Sequence, residues 1–398
     1  MPDNQSKRLF LILSGILIFS SLFLRLFYAY KTPGASADIG AYKIQAQAVK
    51  EGKNIYEETT RYPYPPVWMY VPFISTLLSE KLDLPFEFVV KFLPVLFDLF
   101  VLTAVWLLFS WSYTCSSLLW GALLLFNPAS FLIVVGGGQF DSIPIFLVLL
   151  AWVLLERFSF KYKEAFSALL LGIAIVIKVF PIFLVPLFVW KLKGSKAQKL
   201  IYLFLSVAPF LTVSVQPVIS SFGRYMEAVF LRQVPMDASL SYLLGGGGLP
   251  KSVQGGLLGP YRFLSKPMLV ALAVLIPATF ERKNFYVLTT IIWLATYSVS
   301  YGLAVNHLYW VIPFLFISSK WGFVIYSISS TAALISFYLK LFPGALYPLF
   351  IFQEKFSFLT TSPARWWANF FLLLTCVGLL IYLLFKRVEM RVSPEKEL

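Results

Sequence analysis

The chain has 398 residues, 59% of them apolar and 18% aromatic, with only 13% charged. A soluble domain runs nearer half apolar and a quarter charged, so the composition argues against a soluble enzyme, a disordered tail protein or a disulfide scaffold. The roughly 235 apolar residues suffice for about 10–12 membrane helices of about 20 residues each. An all-α polytopic membrane protein is expected. The net charge of +14 would suggest nucleic acid in a soluble protein. Here the basic residues lie between apolar runs, where they orient the chain and face anionic lipid, so membrane lipids and not nucleic acid are the expected partners. Cys115 and Cys376 lie in apolar segments and imply neither a disulfide framework nor a thiolate metal site.

The first apolar run, 9–30, is too long for a signal-peptide core and reads as a retained helix, with Lys7 and Arg8 holding the N-terminus in the cytoplasm. A long connection, 31–87, follows. It opens on Ser36-Ala37-Asp38-Ile39-Gly40-Ala41-Tyr42 and continues through Gly52-Lys53-Asn54-Ile55-Tyr56 to Arg61-Tyr62-Pro63-Tyr64-Pro65-Pro66. Two stretches in it, Ile39–Glu51 and Tyr64–Ser79, read as amphipathic interfacial helices. Asp38, just outside a membrane helix, suits either a helix cap or a positioned general base.

Spans are expected near 88–110, 114–135 and 142–156. Asp98 in the first of these needs a partner, and Lys91, two turns earlier, looks too far for a direct bridge. The second and third are joined by Gly136-Gly137-Gly138-Gln139-Phe140-Asp141-Ser142. These residues read as a tight turn with Asp141 as a helix cap, or as a site where backbone approaches a ligand closely.

The segment 165–190 is flanked by Arg157, Lys161 and Lys163 on one side and by Lys191, Lys193, Lys196 and Lys199 on the other. One helix would put the two basic clusters on opposite sides of the membrane, against the positive-inside rule. A chain that turns back near Lys178 and Pro181, as two half-helices beside a polar cleft, removes the conflict. Lys178 at such a tip could bind a phosphate; the plain alternative is a snorkelling side chain.

After a span near 200–219 comes a second long connection, 221–266, with Arg224, Arg232 and the run Gly245–Gly248, suited to a mobile loop over a substrate or to a plain connector. Spans near 267–280, 284–303, 308–319, 321–340 and 367–386 complete the chain. The only histidine, His307, lies in Val305-Asn306-His307-Leu308; with no second His or Cys nearby, a zinc site is not expected. Counting the hairpin, the chain makes twelve crossings with both termini cytoplasmic. It forms one membrane domain, 1–398, and both long connections fall on the extracytoplasmic face.

The order of these motifs resembles the GT-C superfamily of membrane glycosyltransferases, which take sugars from polyprenyl phosphates. Asp38 with Tyr42, Gly52 with Tyr56, and Arg61-Tyr62-x-Tyr64-x-Pro66 are similar to the first loop of the first GPI mannosyltransferase, as are Asn127-Pro128 and Lys178-Val179-Phe180-Pro181. Gly138-Gln139-Phe140-Asp141-Ser142 and Val305-Asn306-His307 look more like dolichyl-phosphate-glucose-dependent glucosyltransferases. A bacterial group of polyprenyl-phosphate-mannose transferases shares the overall plan. The likeness covers 9 to about 190 and the surroundings of His307, so residues 1–220 would form the shared module and 267–398 a variable part. Two departures matter: the histidine is offset from the glucosyltransferase pattern, and Asp38 stands alone where the mannosyltransferase carries more than one carboxylate.

The resemblance implies hexosyl transfer, mannose being favoured, from a polyprenyl-phosphate donor to a lipid or glycan hydroxyl on the extracytoplasmic face, with inversion. Asp38 would be the base, with Lys178 and His307 near the donor phosphate. Arg224 or Arg232 would join them, and Tyr42, Tyr64, Gln139, Asp141 and Asn306 would contact sugar or acceptor. No cofactor beyond the donor is called for, and a divalent metal stays open. The rival class, a transporter or lipid flippase, should show two matching halves with interrupted helices in corresponding places; the sequence shows no such repeat.

Overall fold

The computed structural model describes residues 4–231, 251–280, 282–302, 304–342 and 361–386, with the single positions 243, 346 and 358. Among them every regular element is helical. In chain order these are α1 (Asn4–Lys31), α2 (Ser36–Lys50), α3 (Ile55–Glu58), α4 (Tyr70–Leu82), α5 (Phe86–Phe109), α6 (Cys115–Leu125), α7 (Pro128–Phe131) and α8 (Ser142–Arg157). Then come α9 (Lys163–Ile177), α10 (Val185–Lys191), α11 (Lys196–Met226), α12 (Lys251–Thr279), α13 (Phe285–Val299), α14 (Ile312–Ser318), α15 (Lys320–Leu341) and α16 (Ser362–Phe385). A π-helical turn, Leu132–Gly136, extends α7, and 3-10 turns at Phe180–Leu184 and Val305–Val311 lead into α10 and α14.

Among the described residues seven helices are long and apolar enough to cross a membrane: Asn4–Lys31, Phe86–Phe109, Cys115–Gly136, Lys196–Phe230, Pro260–Thr279, Lys320–Leu341 and Pro363–Phe385. The protein is a multi-pass, all-α membrane protein. The other expected spans fall on shorter helices: α8 has 16 residues, α9 and α13 have 15 each, and α10 and α14, each following a 3-10 turn, have 7 each. All are below the ~20 residues that cross a bilayer untilted.

The break near Lys178 is present. Lys178 is extended (φ −154°, ψ 127°) and ends α9, and Pro181 opens the 3-10 turn that follows. The chain then doubles back. Lys178 lies beside Asp141 at one end of α8, whereas Phe188 lies against Trp152 near the other (ring centroids 5.7 Å). Beyond it, Lys191 Nζ donates to Lys283 O (2.7 Å), Lys283 Nζ donates to Lys386 O (2.9 Å), and Tyr286 Oη donates to Glu156 (2.7 Å). At that same end Arg157 reaches Leu108 O and Lys320 reaches Ser110 Oγ (2.7 Å). One end of the bundle therefore collects the basic side chains and the other collects the site.

In the first long connection α2 begins three residues before the expected Ile39 and ends at Lys50, one short of Glu51, and α4 starts at Tyr70, six residues after the expected Tyr64. The two helices pack together. Tyr70, Ile74, Leu77, Leu78 and Leu82 leave an exposed apolar stripe along α4, the pattern of a helix lying at an interface.

One expectation is corrected, and the partner that Asp98 needs is found. Residues 251–266 were expected in a loop but are helical, so α12 starts at Lys251 and carries Pro260 and Pro267 within it. Prolines are tolerated in bilayer helices where neighbours re-satisfy the freed carbonyls. Asp98 is paired with Arg25 of α1 (Nε to Oδ2, 2.9 Å) and not with Lys91. Its carboxylate also accepts from Ser130 Oγ (2.8 Å) and Tyr309 Oη (2.9 Å), which ties α1, α5, α7 and the turn before α14 together.

Candidate active site

The site is built around the glycine turn between α7 and α8. The π turn ends with Gly137 N bonded to Leu132 O (2.7 Å), and Gly138 then takes a left-handed conformation (φ 75°) that favours glycine. Gly137 also has no room for a side chain, because a Cβ there would meet the Tyr338 hydroxyl and approach Ile133 O to 2.7 Å. This close approach lets Ala35 N donate to Gly137 O (3.2 Å), which brings the start of α2 onto the turn.

Asp38 lies in the first turn of α2, where Gln139 Nε2 donates to its Oδ2 (2.7 Å). The helix is capped by Ala35 with no side-chain bond, so Asp38 is not the cap. Tyr42, one turn on, is buried and donates to Gly138 O (3.3 Å). Burial raises the Tyr42 hydroxyl's pKa well above the ordinary tyrosine range, and Tyr64, Asp38 and Asp141 act in the same direction.

Asp141 does not cap α8 with its side chain either. Fully buried, it accepts from Lys178 Nζ (2.6 Å), Asn306 Nδ2 (2.9 Å) and the indole Nε1 of Trp310. Burial of a carboxylate in so apolar a place is costly without such partners. The Lys178 ammonium lies over the rings of Phe140 (5.2 Å), Tyr64 (5.7 Å) and Trp310 (5.8 Å), a geometry that stabilises a desolvated cation. Asp38 is close enough to Lys178 for their charges to interact.

The first connection closes this wall. Trp68 stacks on Phe140 (3.6 Å, 12°), Tyr64 meets Phe140 edge-on (4.9 Å), and Tyr56 Oη donates to Tyr64 O (2.8 Å). Tyr225 of α11 packs on Tyr56 (5.0 Å), and Asn54 donates to Ser221 Oγ (2.6 Å).

His307 lies beside Phe180 and Trp310, close enough to Lys178 and Asp141 for their charges to act on it. Its Nδ1 lies 3.1 Å from Ala304 O, and its ring sits 4.4 Å from Phe180 and 5.7 Å from Trp310. The structure thus brings together Asp38, Tyr42, Tyr64, Gln139, Asp141, Lys178, Asn306 and His307. It does not bring Arg224 to them: that side chain is exposed at the end of α11 and makes no ion pair among the described residues. Arg232 and Gly245–Gly248 lie outside the described residues. Among the described residues no three His, Cys, Asp or Glu side chains gather as metal ligands.

Trp310 and Tyr338 escaped the sequence reading. They sit in apolar runs, and only the fold aims their polar atoms at the site. Lys91 was noticed only as a poor partner for Asp98. It is buried, its stem runs past Gly138, and its ammonium donates to Thr32 O (2.5 Å) and Thr32 Oγ1 (2.8 Å), just past the C-terminus of α1. A cation is favoured there by the helix dipole. No family model matches the sequence, and no curated protein is significantly similar to it.

Proposed function

We propose that the protein is a membrane glycosyltransferase that moves a hexose from a polyprenyl phosphate to an acceptor hydroxyl, with Asp38 as general base. The observation that carries this reading is the Asp38 carboxylate, oriented by Gln139 beside the aromatic-lined Lys178–Asp141 pair. In the reaction the acceptor oxygen attacks the anomeric carbon and its proton passes to Asp38. The bond from that carbon to the phosphate oxygen breaks on the opposite face, so configuration inverts, and polyprenyl phosphate leaves. A positioned base contributes about 100-fold or more. Lys178, oriented by Asp141, would offset the charge that grows on the leaving phosphate in a site sheltered from water. Tyr42, Tyr64, Gln139 and Asn306 would meet hydroxyls of sugar or acceptor, and the prenyl chain would lie along the bundle's apolar surface.

The collection of lysines and arginines at the opposite end supports a cytoplasmic placement of that end. On this proposal the chain makes twelve crossings with cytoplasmic termini and an extracytoplasmic site, and mannose, which the resemblance favours, is the proposed sugar. Asp38→Asn should lower transfer from a mannosyl polyprenyl phosphate by about 100-fold or more while leaving thermal stability and donor binding intact. Near-normal transfer by that variant would remove the base assignment. Passage of the intact lipid across vesicles, with no sugar transferred, would favour a flippase instead.

A further inference from the structure

Lys91 of α5 is fully buried, and among the described residues no carboxylate lies within ion-pair distance of it. A lysine inside an apolar bundle is unfavourable, and an aliphatic side chain of the same length would fill the space more readily. What the ammonium adds is its hold on Thr32. It donates to Thr32 O (2.5 Å) and Thr32 Oγ1 (2.8 Å). That hydroxyl in turn donates to Tyr28 O (2.7 Å), with Val135 O of the π turn 3.4 Å away. The stem leans on a second segment: a Cβ at Gly138 would lie 3.4 Å from Lys91 Cγ and 3.2 Å from Ile39 Cδ1.

Thr32 and Gly138 are the points from which Asp38 and Gln139 hang. Three residues after Thr32, Ala35 N donates to Gly137 O (3.2 Å), and Ala35 O accepts from Asp38 N (3.0 Å). Between them Gly34, left-handed (φ 80°), folds the corner so tightly that a Cβ there would meet Ile39 Cγ1 at 2.7 Å. Gly138 directly precedes Gln139, whose amide donates to Asp38 (2.7 Å). One turn before Lys91, Glu87 also reaches α2 and pairs with Lys43 (2.7 Å), but Lys43 is exposed. Such a surface pair contributes little, which leaves the buried contact to set the register. We propose that Lys91 is a positioning residue for the base: by gripping Thr32 and backing Gly138, it holds the α1–α2 corner and the glycine turn so that Asp38 meets Gln139. The inference rests on the transferase reading and deepens it. Lys91 acts through Asp38 and Gln139 and not on the substrate.

The test uses the full-length protein. Lys91→Met keeps the stem and removes the ammonium. It should lower kcat for a mannosyl polyprenyl phosphate by about 10- to 100-fold, since small displacements of a reacting group carry losses of that size, while KM and thermal stability stay near wild type. Added to Gln139→Ala, it should lower kcat little further, because both changes break one contact. An unchanged kcat, or losses that multiply in the double variant, would overturn the proposal. Thr32→Val removes one of the two acceptors and should lower kcat by a smaller factor; it carries the test if Lys91→Met does not fold, and an unchanged kcat there counts equally against the proposal. A second measurement needs no turnover. With Cys115→Ala and Cys376→Ala as background, Asp38→Cys and Gln139→Cys should be bridged by dibromobimane, which fluoresces once both its arms have reacted with thiols. Lys91→Met should abolish that bridging. No bridging with Lys91 in place, or bridging that Lys91→Met leaves unchanged, would overturn the positioning role. Bridging that depends on Lys91, in a protein that transfers sugar from no hexosyl polyprenyl phosphate, would sink the transferase reading alone.

Discussion

Arg25–Asp98 and Lys178–Asp141 are both buried ion pairs between helices, yet their surroundings differ. The first lies within the bundle, where Asp98 is also bonded to Ser130 and Tyr309, and Arg25 to Ser21 Oγ (2.5 Å) and Leu125 O (2.7 Å). Protein groups surround it on every side, and its place at the junction of four elements marks it as a staple. The second sits where α9 breaks, within charge range of Asp38. Burial alone therefore does not tell a structural pair from a working one. What distinguishes them is that the second pair adjoins the break after α9 and the Asp38 carboxylate, whereas the first is enclosed by helices with no other charged group bonded to it.

The largest expected effect tests that distinction directly. Arg25→Met strands the Asp98 carboxylate and should cost about 3–5 kcal/mol, seen as a collapse of thermal stability in detergent. Lys178→Met strands Asp141 in the same way. The second replacements separate the two. Arg25→Met with Asp98→Asn should recover both stability and sugar transfer, whereas Lys178→Met with Asp141→Asn should recover stability only. Transfer returning in both double variants would dissolve the comparison.

A smaller effect is expected at the turn that brings the two acids of the site together. Gly137→Ala forces a methyl group against the Tyr338 hydroxyl and the Ile133 carbonyl, and overpacking of this kind costs about 1–3 kcal/mol. Because the same turn sets Asp38 against Gln139, transfer should fall further than stability does; a variant that loses only stability would uncouple the turn from the site.

The smallest effect is alkaline. Tyr42, Tyr56 and Tyr62 lie in the first connection, and burial is the largest cause raising each pKa. Their contribution to stability is complete below the ordinary tyrosine pKa of about 10. It declines as pH rises above that, because the unfolded chain releases protons the folded chain keeps. Denaturation scans across that range should show the decline, and Tyr62→Phe should lessen it.

Much of this protein was legible in one dimension. Apolar runs of membrane length mark the long helices. The two basic clusters around 165–190 demanded a reversal, because charge cannot be left in the wrong compartment without cost. The motifs around Asp38, Gln139, Asp141 and Asn306 named most of the side chains that meet. Partners across sequence were not legible. Arg25 stood in an apolar run 73 positions before Asp98, and nothing local ties one to the other. The capping readings of Asp38 and Asp141 failed for the same reason: a side chain at a helix start takes the strongest donor in reach, and tertiary packing supplies that donor.

Sequence alone determined the class of the molecule and the reversal near Lys178, since both follow from the transfer of apolar and charged groups between water and lipid, which acts residue by residue. Only the tertiary structure decided that Lys178 meets Asp141, that Asp98 belongs to Arg25, and that Trp310 joins Asn306 on the Asp141 carboxylate. Hydrogen bonds and ion pairs are short-ranged and directional, so they are settled by which helix faces come together.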